Sequence, residues 1–361
     1  MDAALSKNGR RALRVLFGSL VVFLYAPIAI LLIFSFNDSQ LPSFPLSGFT
    51  LRWYHQFLTN PDLRGALETS ALIAACSRVA AVALGVLASL ALVRRRFGGK
   101  GALSALLLSP LVIVFLYAPI AILLVFSFNK ASVPTFPLSG FTLSWYRDFA
   151  TNGEMQAALK TSAIIAAVSS VGAVVLGILA AIGLTRRRFR GQLGVTALLL
   201  SPLVIPLLVL GVSMALLFHE LGMQRSMYTV MIGHIVISVP YTILVIRPRL
   251  GQIDASLGEA AYDLGAGPLT TFRTVTLPLI LPAVVSAFMI AFTISFDEFP
   301  VASFLVGPRQ TFPVYLYAAL RFPSQLPQVI AVAVVVLLVS LAVIVAAELW
   351  RRRAEARLEA A

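Results

Sequence analysis

The stretch GEAAYDLGAGPLTTFRTVTLPLILP, Gly258 to Pro282, decides how the rest of the chain is interpreted. It places acids, an arginine and three glycines between two long apolar runs. Apolar residues recur at helical spacing from Ile253 to Leu264, and Gly265 then supplies a common helix stop. Pro268 suits the first turn of a further helix. The pattern predicts two short helices around a glycine turn, lying at a membrane surface and ending where Leu277 starts a new apolar run.

The composition places the whole chain in a membrane. Of its 361 residues, 59% are hydrophobic and only 12% are charged, whereas soluble domains carry about a quarter charged residues. Apolar runs of about 20 residues recur, and each is long enough to cross a hydrocarbon core of roughly 30 Å. We predict an all-α polytopic membrane protein with about eight transmembrane helices. The predicted spans are residues 14–36, 67–93, 102–128, 159–185, 194–218, 226–248, 279–297 and 327–350.

The net charge of +13 sits at the ends of the apolar runs. Basic clusters follow or precede spans near Arg10, Arg94, Arg186 and Arg351. Such clusters mark cytoplasmic ends, so both termini and the 250–278 stretch are predicted to be cytoplasmic. The same placement indicates that the basic clusters lie beside membrane lipid and do not bind nucleic acid. A single cysteine, Cys76, excludes a disulfide within the chain.

A direct repeat dominates the first half of the sequence. FLYAPIAILLIFSFN (Phe23–Asn37) returns as FLYAPIAILLVFSFN (Phe115–Asn129), and the offset of 92 residues holds throughout with about two in three positions matching. The repeated unit contains two spans, so copying it leaves the sidedness of later segments unchanged. We expect the second copy, Phe115–Ile205, to take the normal place in the core. The third span fuses the starts of two helices and contains Pro110 and Pro119, which predicts a tilt or kink.

The EAA triplet at 259–261, with Gly265 and a leucine-proline pair at 277–278, closely resembles the EAA loop of bacterial ABC importer permeases; Val275 departs mildly from the isoleucine of that pattern. The stretches GHIVISVPYTILVIRPRL and FTISFDEFPVASFLVGP look like the second permease subunit of polyamine (spermidine/putrescine) importers. The resemblance implies a six-span type I permease fold, here with a duplicated helical hairpin. The ATPase-coupling residues that it implies are Glu259, Ala260, Ala261, Gly265, Leu277 and Pro278.

This resemblance also implies partners and an organisation of the chain. The expected partners are an ABC ATPase dimer, a second permease subunit and an extracytoplasmic substrate-binding protein, in a bacterial inner membrane. The sequence contains no phosphate-binding GxxxxGK[ST] motif and no cluster of metal ligands, so no cofactor, metal or enzymatic activity of its own is predicted. The predicted regions are 1–113 with the first copy, 114–157, a transmembrane core at 158–350 with its coupling loop at 250–278, and a tail at 351–361.

Several residues are candidates for a substrate path. Asp297 and Glu298 lie at the outer end of the seventh predicted span, where a carboxylate would suit a cationic substrate. Trp145 and Tyr146 lie in an outer loop, either as an interfacial aromatic belt or as the wall of an entry path. His234, within the sixth span, is interpreted as making a helix-packing hydrogen bond. Arg78 replaces Ser170 of the other copy and is interpreted as snorkelling or as a sign of a redundant helix.

Two other classes of protein fit parts of the pattern. An ion-coupled secondary transporter would work without an ATPase and would need a functional acid–histidine pair. A membrane scaffold without transport would use the 250–278 stretch only to recruit a soluble protein.

Overall fold

The described part of the chain is almost entirely helical. The computed structural model describes residues 7–39, 44–93, 110–131, 136–185, 191–322 and 325–359. Within these ranges the β-structure consists of two isolated bridges, so the predicted all-α fold is confirmed. The chain divides into two compact units, one of Met1–Ile33 with Ser144–Ala361 and the other of Phe34–Leu143.

The helices follow the apolar runs of the sequence. In chain order they are α1 Lys7–Phe34, α2 Arg52–Thr59, α3 Pro61–Val93, α4 Pro110–Phe126, α5 Ser144–Thr151, α6 Gly153–Thr185, α7 Gln192–Leu200, α8 Leu207–Glu220, α9 Met227–Gly251, α10 Ala255–Asp263, α11 Pro268–Thr271, α12 Leu277–Asp297, α13 Pro300–Leu305, α14 Phe312–Ala319 and α15 Leu326–Glu359.

The predicted spans fall on apolar helices where the structure describes them, although not every helix is long; residues 102–109 of the third predicted span lie outside the described residues. Among the described residues, four helical stretches are long and apolar enough to cross a membrane, namely Pro61–Ala83, Gly153–Thr185, Met227–Gly251 and Pro268–Asp297, and a bent pair of helices makes a fifth. The remaining predicted spans correspond to shorter apolar helices at Gly18–Phe34, Tyr117–Phe126 and Leu326–Ala342.

The larger unit is built on the crossing of α6 and α9, against which α12 also packs. Small residues let the two backbones approach closely, as is usual between membrane helices. Thr242 of α9 lies against Gly177 and donates a hydrogen bond from its hydroxyl to the carbonyl of Ala173, at 3.0 Å. Ser169 of α6 donates to the carbonyl of Met231, at 3.1 Å. Two buried hydrogen bonds and a glycine contact therefore fix the register of α6 on α9.

The fifth predicted span, 194–218, is not a single continuous helix. α7 continues into a short 3-10 turn, Ser201–Leu203, and the direction changes by 97° before α8. Pro202 and Pro206 lie on either side of the bend and lack the N–H groups that a continuous helix would use. The two prolines, four residues apart, account for the break.

The helix that packs on the core ahead of α6 is α1, from the first copy, which corrects the expectation that the whole of Phe115–Ile205 would take the normal place there. Leu20 and Leu24 of α1 belong to the main buried cluster, and the Tyr25 hydroxyl donates to the carbonyl of Leu198 at 2.8 Å. Tyr117, the equivalent of Tyr25 in the second copy, is 61% exposed and lies in the smaller unit. The second copy contributes its second span, α6, to the larger unit.

The smaller unit, Phe34–Leu143, contains both versions of the loop that follows the repeated helix. Asn37 is buried, and its side-chain oxygen accepts from the backbone and the hydroxyl of Ser47, both at 3.0 Å. Asn129 makes the same two bonds to Ser139, both at 3.2 Å. The copies therefore share local structure as well as sequence.

Candidate functional site

The EAA segment, residues 250–278, contains the predicted helix and glycine stop. The carboxylate of Asp254 caps the start of α10 by accepting from the backbone N–H of Ser256 at 2.9 Å. This bond, with a smaller contribution from the Ser256 side chain, lowers the pKa of Asp254 below its usual value. At the other end Gly265 has a φ of +82°, a conformation that suits glycine. Its N–H donates to the carbonyl of Tyr262 at 2.9 Å, and that of Ala266 donates to Ala261 at 3.0 Å, which is a Schellman cap.

The second half of the EAA segment differs from the prediction of a separate short helix. Pro268 does begin a helix, α11, as expected. This helix runs through a widened π-turn, Phe272–Thr276, directly into α12. Pro278 follows the turn and has no N–H to donate to the carbonyl four residues earlier, so the wider turn accommodates it. The EAA segment is therefore continuous with the membrane helix that follows.

One side of the EAA segment packs on the bundle and the other is open. Ile253 and Leu277 pack against a buried cluster that includes Ile246 and Ile280. The predicted apolar face of α10 is thus divided, because Leu257 is 46% exposed and Leu264 is 88% exposed. Glu259 and Ala260 are also exposed, and Ala261 is half-buried. Exposed leucines beside small residues form an apolar surface of the kind that contacts a partner.

The two acids at the end of α12 lie in different surroundings. Asp297 lines a mostly apolar crevice of about 300 Å³ between α6, α12 and α15, together with Phe296, Thr293 and Ser340. Glu298 is buried, at 6% exposure, and each of its oxygens accepts a backbone N–H, from Val301 at 2.7 Å and from Ala302 at 2.8 Å. Asp297 is therefore the acid of this pair with a side chain on an open surface.

The structure brings His234 and Glu298 together across 64 residues of sequence. His234 Nε2 lies 3.1 Å from Glu298 Oε2, and Nδ1 lies 2.6 Å from the hydroxyl of Ser295. The predicted helix-packing hydrogen bond of His234 is confirmed. Its acidic partner was not predicted, because nothing near His234 in the sequence carries a carboxylate. The only signal was the three-residue spacing of Ser295 and Glu298 at the end of the seventh predicted span, because residues three apart lie on one side of a helix.

Trp145 and Tyr146 are half-buried near the start of α5, a short helix that packs on α15. The side chains that line the Asp297 crevice come from α6, α12 and α15, so these aromatics are not brought together with Asp297 in that crevice. Arg78 is exposed on α3 in the smaller unit, whereas its equivalent Ser170 is fully buried in α6.

The fold and the EAA segment define a class of membrane protein. A family described as "Binding-protein-dependent transport system inner membrane component" matches residues 173–356, about half of the chain. The chain belongs to this family. It is a multi-pass inner-membrane permease component of an ABC importer, in which ATP is hydrolysed by a separate subunit. This membership contradicts the secondary-transporter and scaffold alternatives.

Individual relatives are similar over most of their length. The putrescine transport system permease protein PotI of Escherichia coli K12 is 36% identical over 231 residues, which cover 62% of this chain and 82% of PotI. The spermidine/putrescine transport system permease protein PotC of the same strain is 34% identical over 242 residues, covering 67% and 91%. PotC of Haemophilus influenzae is 35% identical over 245 residues, covering 67% and 94%. The fold is also similar to a chain of a bacterial ABC transporter involved in alginate import, with a TM-score of 0.56 and 17% identity over 68% of this chain and 94% of that one.

Proposed function

We propose that the EAA segment is the surface on which an ATPase subunit docks, and that Glu259, Ala260, Ala261 and Gly265 form the contact. The observation that carries this proposal is the division of the segment into a packed side and an open side. Ile253 and Leu277 hold it on the bundle, while Leu264 next to Gly265 remains almost fully exposed. Leu277 and Pro278 join the contact to α12, so a force on α10 would act directly on a membrane helix.

The complete importer would contain two ATPase subunits, a second and different permease, and an extracytoplasmic binding protein. The family description, with its reference to binding-protein-dependent transport, supports this set of partners. Both chain ends and the EAA segment would face the cytoplasm, which agrees with the basic clusters at the span ends. ATP-driven closure of the ATPases would push the EAA segment, reorient the helices and open the path outward; hydrolysis would reset it.

The substrate we propose is a polyamine such as putrescine or spermidine. PotI and PotC, which are named for these compounds, support this choice. Asp297 would bind an ammonium group, because its carboxylate lines an apolar crevice where a charge-assisted hydrogen bond gains strength. Both oxygens of Glu298 already accept hydrogen bonds, which favours a supporting role for that residue. Trp145 and Tyr146 would contribute from the outer end, as an interfacial belt or an entry wall.

Substitutions at Gly265 test the docking surface. A Cβ at this position would meet no atom within 4 Å, so Gly265→Ala adds only the cost of a left-handed conformation, about 1–2 kcal/mol. Gly265→Arg adds the same cost and a long charged side chain on the proposed contact. We expect a tagged Gly265→Ala chain to retain most of the ATPase during purification, and Gly265→Arg to lose it and to abolish polyamine uptake while still inserting in the membrane.

The wild-type chain is the reference for this test, and it should retain an ATPase subunit and support spermidine uptake. Normal retention and uptake by the Gly265→Arg chain would contradict the docking role. Labelling that places residue 265 on the extracytoplasmic side would contradict the orientation as well.

A further inference from the structure

The two helices that flank the EAA segment are joined at both of their ends. Close to the segment, Arg249 of α9 donates from Nε to the carbonyl of Leu279 in α12, at 3.3 Å. Fifteen residues earlier, about 22 Å along the helix, His234 of α9 contacts Ser295 and Glu298 at the far end of α12. The two connections would make α9 and α12 move together.

The hydrogen-bond partners around His234 indicate which groups donate and which accept. Glu298 Oε1 and Oε2 accept from Val301 and Ala302, which is how an ionised carboxylate behaves. With Glu298 as a carboxylate, His234 Nε2 carries the hydrogen and donates to Oε2. In neutral His234 the Nδ1 atom accepts the hydrogen of the Ser295 hydroxyl. His234, Ser295 and Glu298 are all at least nine-tenths buried, so each of these bonds is shielded from water.

The same carboxylate holds the short helix α13, because Val301 and Ala302 are in its first turn. α13 is also packed tightly on its neighbours. A Cβ on Gly233 of α9 would lie 2.7 Å from Leu305 Cδ1. Thr229 of α9 donates to the carbonyl of Leu305 at 2.9 Å. The short helix at the far end is therefore attached to α9 directly and to α12 through Glu298.

We propose that His234 and Glu298 are positioning residues that transmit movement of the EAA segment to α13 at the opposite end of the bundle. This inference rests on the proposed function, since it takes the EAA segment as the place where the ATPase pushes. His234 keeps α9, α12 and α13 in one rigid group. Without its bond to Glu298, displacement of α10 would be absorbed by sliding of α9 against α12, and ATP would be hydrolysed without opening the path.

Two polar substitutions separate the contacts of His234. The amide of glutamine reaches the position of Nε2, so His234→Gln can still donate to Glu298. The shorter amide of asparagine reaches only the position of Nδ1, so His234→Asn keeps the contact with Ser295 and loses the one with Glu298. In both variants Glu298 retains its two backbone donors, which avoids an unpaired buried charge.

The experiment uses the complete importer in proteoliposomes and measures ATP hydrolysis and radiolabelled spermidine uptake in the same sample. For His234→Asn we expect the uptake per ATP hydrolysed to fall about tenfold or more, the size typical of losing a hydrogen bond to a charged group, with hydrolysis itself preserved. For His234→Gln we expect this ratio to stay within about threefold of wild type, a change smaller than that bond is worth. A merely structural residue would change assembly, and hence hydrolysis and uptake in parallel.

Equal ratios in the two variants, or a parallel loss of hydrolysis and uptake in His234→Asn, would overturn the inference. Failure of the wild-type sample to couple hydrolysis to spermidine uptake would instead overturn the proposed function. Ser295→Ala is the matched control, because it removes the Nδ1 contact and leaves the Glu298 contact intact, and its ratio should remain that of wild type.

Discussion

Gly177 and its copy Gly85 allow the helix crossing at the core to be tested with a control inside the same chain. A Cβ on Gly177 would lie 2.0 Å from the Thr242 hydroxyl oxygen and 2.7 Å from Thr242 Cβ, distances at which Thr242 must move. That movement breaks the bond from Thr242 to the carbonyl of Ala173. A Cβ on Gly85 would meet no atom within 4 Å.

The expected cost of Gly177→Ala follows from three contributions. Overpacking a tight contact costs about 1–3 kcal/mol, and a hydrogen bond between membrane helices adds about 0.6 kcal/mol. Alanine recovers about 1 kcal/mol relative to glycine within a helix. The net result is a loss of about 0.6–2.6 kcal/mol in the free energy of unfolding for Gly177→Ala. Gly85→Ala should be neutral or more stable by up to about 1 kcal/mol.

The measurement is thermal unfolding of each purified variant in mild detergent, followed by tryptophan fluorescence. The Gly177→Ala midpoint should fall below wild type, and the Gly85→Ala midpoint should not. Equal shifts of the two midpoints would refute the reasoning, because they would mean that α3 and α6 are packed alike.

The other predictions concern the same pair of helices and the substrate crevice. Ser170→Arg should remove most folded protein from the membrane, since Ser170 is fully buried and a charge at the centre of a span costs about 3 kcal/mol. Arg78→Ser should leave the amount of folded protein unchanged. Equal yields of the two variants, measured by fluorescence-detected size exclusion, would contradict this prediction. Asp297→Asn should raise the spermidine concentration for half-maximal uptake about tenfold or more, because a charge-assisted hydrogen bond is lost. An unchanged concentration dependence would exclude Asp297 from the path.

The sequence predicts the helices well because each apolar run is long and is bounded by basic residues or turn residues. The helix and glycine turn of the EAA segment are also predictable, since a Schellman cap depends on residues close together, from Ala261 to Ala266. Pro202 and Pro206 mark the region of the bend between α7 and α8, but the sequence does not specify a 97° break, because prolines in membrane helices are often tolerated without one. The contact of His234 with Glu298 depends on how α9 packs on α12, which no local pattern specifies.

The expectation that the second copy would take the normal place is correct for α6 and wrong for the helix before it, and the sequence contained part of the answer. Ten of the thirteen buried positions of α6 have the same residue in α3. One exception, Arg78 in place of Ser170, would bury a charge in the core. Ala80 in place of Gly172 would bring a Cβ to 2.8 Å from Ile235 Cδ1. These two residues disfavour α3 in the core position, although they do not reveal that α1 supplies the first span.

The chain leaves the larger unit after Ile33 and returns at Ser144. The ends of the intervening segment lie in the first and the second copy of the 92-residue repeat. Recombination between those copies could remove one complete repeat and join Ile33 to Phe126, the residue that corresponds to Phe34. The shortened polypeptide would keep every residue of the larger unit. It would lose two predicted spans, so the sidedness of the later segments would not change. Gain or loss of one repeat therefore leaves the membrane orientation of the core unchanged, and chains that differ by one repeat could share the same working core.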